Sequence, residues 1–243
     1  MDTTCWHPNV HCHLGDLITI VQNLHRQPGK NIIYGNRTCR CGCGRKQEES
    51  LPQIISLLDT SVIFGGRDIP AEAKGVDPLW ADDGGTRENI TYIKAKYLPV
   101  YHEQLVTIQF TPVMIDSERQ MSAQNTNRLF EVLKCKGVQR HHMANLSDAT
   151  IFQAPAPFWG MDPIGGNIVQ KFELISRAKL HISADSGTAH LAALTDTPVV
   201  MISPTHLWNR YRTQSNIVCC SHIQEAEIAI RSILDSLWFT PLA

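Results

Sequence analysis

The sequence contains no long hydrophobic run. None of its apolar stretches approaches the ~20 residues that a helix needs to span a bilayer. Residues 1–14 carry several histidines and lack the apolar segment of a secretory signal. These two absences predict a cytoplasmic protein without a transmembrane segment.

The chain also lacks an excess of charge of either sign. Its 22 lysines and arginines nearly balance 23 aspartates and glutamates, which leaves a formal net charge of −1. No general basic field therefore attracts nucleic acid or an anionic membrane, although a nucleic-acid substrate is not excluded. The 43% of hydrophobic residues excludes a disordered chain, and 243 residues are enough for one large or two small domains.

The cysteines do not form the framework of a secreted, disulfide-bonded domain. Eight are present, and the most unusual group is Cys39, Cys41 and Cys43 in a glycine-rich loop. A structural zinc ion takes four ligands, usually in pairs roughly two to four residues apart, so a spacing of one residue is tight. We expect reduced thiols and no cofactor, with structural zinc at Cys39, Cys41 and Cys43 as the alternative.

Apolar periodicity predicts alternating helices and strands, as in parallel sheets with crossover helices. Helices are expected at residues 16–27, 51–58, 123–134, 167–178, 187–194 and 224–238, and strands at 31–35, 61–64, 105–110, 138–143, 151–153, 180–183 and 198–203. Residues 6–13 are predicted to be a poor strand, and residues 67–90 to contain no regular element. The fold class is therefore α/β, with an acceptor-side lobe at 1–104 and a donor-binding lobe at 105–243.

The most informative segment follows the strand at 180–183. Its sequence is Asp185-Ser186-Gly187-Thr188-Ala189-His190, and a helix begins at once. Helix N-termini present unpaired N–H groups and partial positive charge, which suits phosphate. Glycine lets the backbone approach an anion, and hydroxyls add donors. The segment therefore predicts a phosphate or sugar site at the carboxyl end of a parallel strand.

A plainer interpretation is that Asp185 and Ser186 only cap the helix while His190 fills a gap in the packing. Capping explains an acidic or hydroxyl residue before a helix. It does not explain the whole run of acidic residue, serine, glycine, threonine and histidine ahead of the Thr197-Pro198-Val199-Val200 strand. We therefore favour the binding site.

Residues 168–204 resemble the C-terminal motif region of the lipopolysaccharide heptosyltransferases, glycosyltransferase family 9. The matching residues are Asp185, Ser186, Gly187, His190, Ala192, Thr197, Pro198, Val199 and Val200. Near the N-terminus, Gly15-Asp16 resembles the Gly-Asp turn that opens the first helix of the family's acceptor lobe. The order and separation of the two motifs fit a two-lobed protein.

The resemblance implies a GT-B fold, in which two Rossmann-like lobes face each other, here with a reduced N-terminal lobe. It further implies that Asp16 is the catalytic base and that Asp185, Ser186, Gly187, Thr188 and His190 hold the diphosphate and sugar of the donor. Thr111 lies in a loop that corresponds to another phosphate contact, and His13 and Gly15 lie on the acceptor side of the cleft. For Asp16, a helix N-cap is the alternative.

The sequence thus predicts an inverting, metal-independent glycosyltransferase that moves a sugar from a nucleoside-diphosphate sugar to an acceptor hydroxyl. One alternative is a nucleotide-sugar-binding module without turnover. Another is a sugar-nucleotide hydrolase or epimerase on the same scaffold. The acceptor stays open between a glycan, a glycolipid, a protein and a modified nucleic-acid base.

Overall fold

The computed structural model describes nine stretches of the chain. These are residues 2–9, 12–38, 45–78, 92–96, 103–109, 123–135, 139–142, 167–203 and 214–238. Their helices and strands form two parallel sheets with helices after most of the strands, which confirms the α/β prediction.

The first sheet has four parallel strands in the order β3-β2-β1-β4. Its elements are β1 (Thr3–Pro8), α1 (Leu14–Arg26), β2 (Lys30–Tyr34), α2 (Gln47–Leu57), β3 (Ile63–Gly66) and β4 (Lys74–Val76). Because β1 pairs with β2 on one side and β4 on the other, the turn into α1 leaves the middle of the sheet.

Two predictions for this half were wrong. The N-terminal strand exists because it begins at Thr3, and the β-favouring residues Thr3, Thr4 and Trp6 precede His7, its fifth residue. Residues 67–90 do contain a strand, β4, which is only three residues long and too short to show a period of two. In addition, α2 begins at Gln47, earlier than the predicted start at residue 51, and Pro52 lies inside it.

The second sheet has five parallel strands in the order β6-β5-β7-β8-β9. Its elements are β5 (Glu103–Gln109), α3 (Ala123–Cys135), β6 (Gln139–His142), α4 (Ile168–Arg177), β7 (Ala178–Ala184), α5 (Gly187–Ala193), β8 (Val199–Ile202), β9 (Ile217–Cys220) and α6 (Ile223–Trp238). All seven residues of β7 are buried. The strand β9 was not predicted, and the strand expected at 151–153 lies outside the described residues.

The apolar core joins the two sheets. One cluster of buried side chains draws on α1 and α2 of the first half and on α4, α5 and β8 of the second. Within it α1 contacts α5, and α2 contacts α4. A second cluster packs β5, α3 and α6 around the second sheet. The helices that follow the central strands of the two sheets therefore pack against each other.

A short connecting segment, residues 92–96, is hydrogen-bonded to both halves. The Ile93 N–H donates to Gln22 Oε1 of α1 over 2.7 Å, and Gln22 Nε2 donates back to the Ile93 carbonyl over 3.3 Å. The Ala95 N–H donates to the Leu194 carbonyl, just after α5, over 3.0 Å. The connecting segment thus ties α1 to the end of α5.

The sheets draw on residues 3–76 and 103–220. The division into lobes at 1–104 and 105–243 stays a prediction, and its boundary falls inside β5. Among the helices that the structure describes, none has both the length and the apolar character needed to cross a membrane.

Candidate functional site

Two turns occupy equivalent places in the two sheets. One connects β1 to α1, and the other connects β7 to α5. Each leaves a strand beside the point where the strand order reverses, between β1 and β4 in the first sheet and between β5 and β7 in the second. Open parallel sheets bind ligands outside the carboxyl ends of strands at such points.

In the first turn, His13 is the N-cap of α1, with extended backbone at φ −69° and ψ 147°, and its side chain makes no capping hydrogen bond. Gly15 is buried, whereas Asp16 is partly exposed in the first turn of the helix. Asp16 is therefore not the N-cap, and the capping alternative for this residue was wrong. A carboxylate at this place interacts favourably with the positive end of the helix.

The two turns touch each other through their glycines. A Cβ atom on Gly15 would lie 2.7 Å from His190 Nε2, and a Cβ atom on Gly187 would lie 2.7 Å from Leu14 Cβ. Both distances are shorter than real side-chain contacts, so a larger residue at either position would force a shift. The sequence-predicted residues Gly15, Gly187 and His190 are thus brought together, with Asp16 next to them in the chain.

His190 is nearly buried, with 3% of its surface exposed. Its Nδ1 lies 2.5 Å from the hydroxyl of Tyr92, and the two ring centroids are 5.9 Å apart. Tyr92 belongs to the connecting segment and lies 98 residues away in the chain, so sequence reasoning missed it. The ring of His190 is thus held between Tyr92 on one side and Gly15 on the other.

Ser186 is the N-cap of α5, yet its hydroxyl makes no capping hydrogen bond. Ser186 Oγ lies 3.0 Å from Ser183 Oγ and 3.0 Å from Thr188 Oγ1. Capping alone therefore does not account for this serine. The backbone N–H groups at the start of a helix have no partner within it, and here they follow the carboxyl end of a central strand.

A buried histidine that sequence reasoning missed lies beneath this turn. His181, in the middle of β7, places Nδ1 2.9 Å from Thr107 Oγ1 and Nε2 3.2 Å from Thr188 Oγ1. Burial lowers the pKa of His181 to about 3, although a hydrogen bond to the Thr107 backbone opposes the shift. The only signal in the sequence was a histidine inside a short apolar strand.

Asp185 is 2% exposed at the end of β7, and two cysteines of β9 lie in this region. Burial raises the pKa of Cys219 to about 12, with smaller contributions from Cys220 and Asp185. Burial likewise raises the pKa of Cys220 to about 11, with a smaller contribution from Glu225. Both thiols stay protonated at neutral pH and do not act as thiolate nucleophiles.

Four of the predicted residues lie outside the described part of the chain. They are Thr111 and the loop cysteines Cys39, Cys41 and Cys43. Among the residues that the structure does describe, no group of three or more histidines, cysteines and carboxylates is placed to hold a metal ion. The expectation of no cofactor, with zinc at these cysteines as its alternative, stays a prediction.

Comparison with known proteins points to the same turn between β7 and α5. Residues 167–235 match the model of glycosyltransferase family 9 (heptosyltransferase). The matched stretch runs from the start of α4 into α6 and contains the whole turn between β7 and α5. No curated protein matches the chain.

Solved heptosyltransferases have a similar fold. The dodecameric, iron-containing heptosyltransferase TibC in complex with ADP-D-beta-D-heptose shares 14% identity at a TM-score of 0.63, over 99% of this chain and 79% of that one. TibC from enterotoxigenic E. coli H10407 shares 16% identity at a TM-score of 0.61, over 90% and 62%. E. coli ADP-heptose lps heptosyltransferase II shares 12% identity at a TM-score of 0.60, over 98% and 100%.

The two-sheet fold is similar to the GT-B type of the solved heptosyltransferases. The resemblance to glycosyltransferase family 9 that the sequence predicted is confirmed by the family match and the structural likeness. Together these findings support a glycosyltransferase enzyme with a heptosyltransferase-like fold. Within the described residues the first sheet is the smaller of the two, with four strands against five.

Proposed function

We propose that this protein transfers a sugar from a nucleoside-diphosphate sugar to an acceptor hydroxyl, with inversion at the anomeric carbon and without a catalytic metal. The observation that carries the proposal is the contact between Gly15 and His190. It brings the carboxylate-bearing turn of the first sheet against the donor-type turn of the second. A transferase needs such a meeting of base and donor, since the acceptor must reach both.

On the donor side, the first N–H groups of α5 suit the diphosphate, because they lack partners within the helix and carry partial positive charge. The Asp185 carboxylate accepts hydrogen bonds only, so it suits hydroxyls of the sugar and not phosphate oxygens. Ser186 is partly exposed and offers a hydroxyl to the same ligand. Thr188 and His190 are buried to a similar extent as Asp185 and support the turn.

On the acceptor side, Asp16 takes a proton from the attacking hydroxyl. The acceptor oxygen forms a bond to the anomeric carbon as the bond from that carbon to the diphosphate oxygen breaks. The nucleoside diphosphate leaves with the electron pair, and the N-terminus of α5 stabilises its charge. His13 and Gly15 flank Asp16 in sequence and border the acceptor. Thr111 is proposed as a further phosphate contact.

The first donor to test is ADP-heptose. TibC was solved with ADP-D-beta-D-heptose, and the E. coli heptosyltransferase II is named for ADP-heptose. Both share the fold of this chain, and the turn between β7 and α5 lies in the family match. The acceptor class is left to experiment, among glycans, glycolipids, proteins and modified nucleic-acid bases.

Calorimetry with ADP-, UDP-, GDP-, CMP- and dTDP-sugars tests donor binding, with Asp185→Ala in parallel. We expect one nucleotide class to bind and the substitution to abolish that binding in a folded protein. Failure of every donor to bind would show the proposal to be wrong.

Release of nucleoside diphosphate is then measured with and without pooled acceptors. Acceptor-dependent release is expected, and it should persist in EDTA. Release without an acceptor would identify a hydrolase. Conversion of the sugar without release would identify an epimerase, and binding without conversion a regulatory module.

A further inference from the structure

His181 is the one described histidine of β7, and the proposed reaction gives it no role. Its side chain is fully buried in the centre of the second sheet, a place that apolar residues usually occupy. A histidine there must satisfy both ring nitrogens or lose stability. It does so with two hydroxyls, those of Thr107 on β5 and Thr188 on α5.

The imidazole therefore bridges strand β5 and helix α5. A neutral ring has one N–H donor and one lone-pair acceptor, so it donates to one threonine and accepts from the other. Since the pKa of His181 is lowered to about 3, the ring keeps this neutral form throughout the physiological range. The tautomer of the ring therefore determines whether Thr188 donates a hydrogen bond to His181 or accepts one from it.

From Thr188 the hydrogen-bonded chain continues to the surface. Thr188 Oγ1 lies 3.0 Å from Ser186 Oγ and 3.4 Å from Ser183 Oγ. Ser183 donates its own proton to the Ala184 carbonyl over 2.6 Å, so its oxygen can only accept from the other two hydroxyls. Ser186 is the partly exposed end of the chain.

Thr188 has one proton and three neighbours that compete for it, namely His181, Ser183 and Ser186. With the imidazole in place, one of these partners is assigned at 3.2 Å and fewer arrangements are left to the others. Without it, Thr188 and Ser186 can exchange partners and rotate about their side-chain torsions. A donor bound at Ser186 would then have to order both hydroxyls, which weakens binding.

We propose that His181 is a positioning residue for the nucleotide-sugar donor, acting through Thr188 to fix the direction of the Ser186 hydroxyl. The inference rests on the proposed donor site at this turn. If His181 were purely structural, its substitution would alter the stability of the sheet in proportion to the hydrogen bonds lost. If His181 is a positioning residue, its substitution alters donor affinity even where stability is unchanged.

Two amide substitutions separate the two ring nitrogens. The amide of His181→Asn reaches the position of Nδ1 and so retains the Thr107 contact. The longer His181→Gln reaches the position of Nε2 and retains the Thr188 contact. We expect His181→Gln to keep the wild-type Kd for the donor within about twofold, and His181→Asn to weaken it about tenfold, as for one lost hydrogen bond.

Thr188 provides a second matched pair that leaves β7 unaltered. Thr188→Val removes the hydroxyl and is expected to weaken donor binding about as much as His181→Asn. Thr188→Ser keeps the hydroxyl and should bind like the wild type. Under turnover, the weak-binding variants should raise KM for the donor with little change in kcat, because the effect is on binding. Thermal unfolding of every variant is measured beside Kd.

Equal donor affinity in His181→Gln and His181→Asn, or losses of affinity that track thermal stability, would overturn the inference while the proposed function stands. If the wild type binds none of the five nucleotide sugars, the proposed function fails and this inference fails with it. Should His181→Asn not fold, the Thr188 pair decides in the same way, since a wild-type Kd in Thr188→Val contradicts the inference.

Discussion

The two turns have the same place in their sheets but differ in depth. In the turn between β1 and α1, Asp16 is partly exposed in the first turn of its helix. In the turn between β7 and α5, Asp185, Thr188 and His190 are each 6% exposed or less. The hydroxyls of the second turn are bonded to one another, and a histidine anchors them from below.

This difference separates two tasks of a transferase. A buried, interconnected turn holds its groups in place before the ligand arrives, which suits recognition of a donor. A partly exposed carboxylate can reach a second substrate and exchange a proton with it. Substitutions in the second turn should therefore change donor binding, whereas substitution of Asp16 should change turnover alone.

The largest effect is expected from Asp16→Asn. The amide is nearly isosteric but cannot take a proton, so kcat for sugar transfer should fall about a thousandfold, within the usual contribution of a general base. Donor affinity should stay unchanged, because the donor turn lies on the other sheet. Acceptor-dependent release of nucleoside diphosphate and calorimetry measure the two quantities.

Asp59→Asn is the matched control for that substitution, since Asp59 is exposed and lies after α2, away from both turns. It should transfer sugar at the wild-type rate. Wild-type kcat in Asp16→Asn would refute the division of tasks between the turns.

The second prediction concerns pH and His181. The pKa of its ring is about 3 in the folded protein and close to 6.5 in the unfolded chain. Between these values the unfolded chain binds a proton that the native state does not, so stability falls as pH falls. From pH 8 to pH 5 this group alone should lower the free energy of unfolding by about 2 kcal/mol.

Urea denaturation of the wild type and His181→Gln at both pH values isolates this contribution, because the other titrating groups are common to the two proteins. The wild type should lose about 2 kcal/mol more than the variant. Parallel losses would mean that the ring is accessible to protons in the native state.

A smaller effect is expected from Gly15→Ala. Alanine is favoured over glycine in a helix by up to about 1 kcal/mol, but overpacking against the held ring of His190 costs about 1–3 kcal/mol. The clash should win, with a net loss of about 1–2 kcal/mol in the free energy of unfolding. Denaturant titration measures it.

The double substitution Gly15→Ala with His190→Ala tests the cause of this loss. Without the ring, the added methyl group has room, so the two effects should be far from additive. Additive losses would contradict a direct contact between the turns.

Tyr92→Phe should have the smallest effect. It removes the hydroxyl that meets His190 Nδ1 and keeps the ring, at a cost of about 1 kcal/mol in the free energy of unfolding. The same cost should disappear in a His190→Ala background, which denaturant titration can check. An undiminished cost there would assign the Tyr92 hydroxyl to another partner.

An element could be predicted from the sequence where its local residue pattern matches the place it takes in the fold. The strand at 180–183 is an apolar run followed by residues that favour a helix start, so the turn at 185–190 could be predicted from it. Most of the helices could be predicted from their apolar periodicity. The family resemblance rested on this motif and on Gly15-Asp16, and it pointed to the two turns before their contact was seen.

The features that escaped prediction depend on contacts across the chain. Nothing near Tyr92 indicates that its hydroxyl meets a histidine 98 residues further on. The strand β4 has three residues, too few for a period to stand out, and β9 is recognised by its pairing with β8. The role of His181 depends on its partners on β5 and α5, which only the sheet order brings beside it.

The connecting segment at residues 92–96 makes the two halves mechanically interdependent. Rotation of one sheet away from the other would have to break either the paired bonds between Gln22 and Ile93 or the bond between Ala95 and Leu194. Where the segment stays with the first sheet, the motion would also pull Tyr92 from His190. Any exchange of ligand that required such a rotation would therefore be gated by the breaking of these hydrogen bonds, and its rate would be set within the protein and not by diffusion.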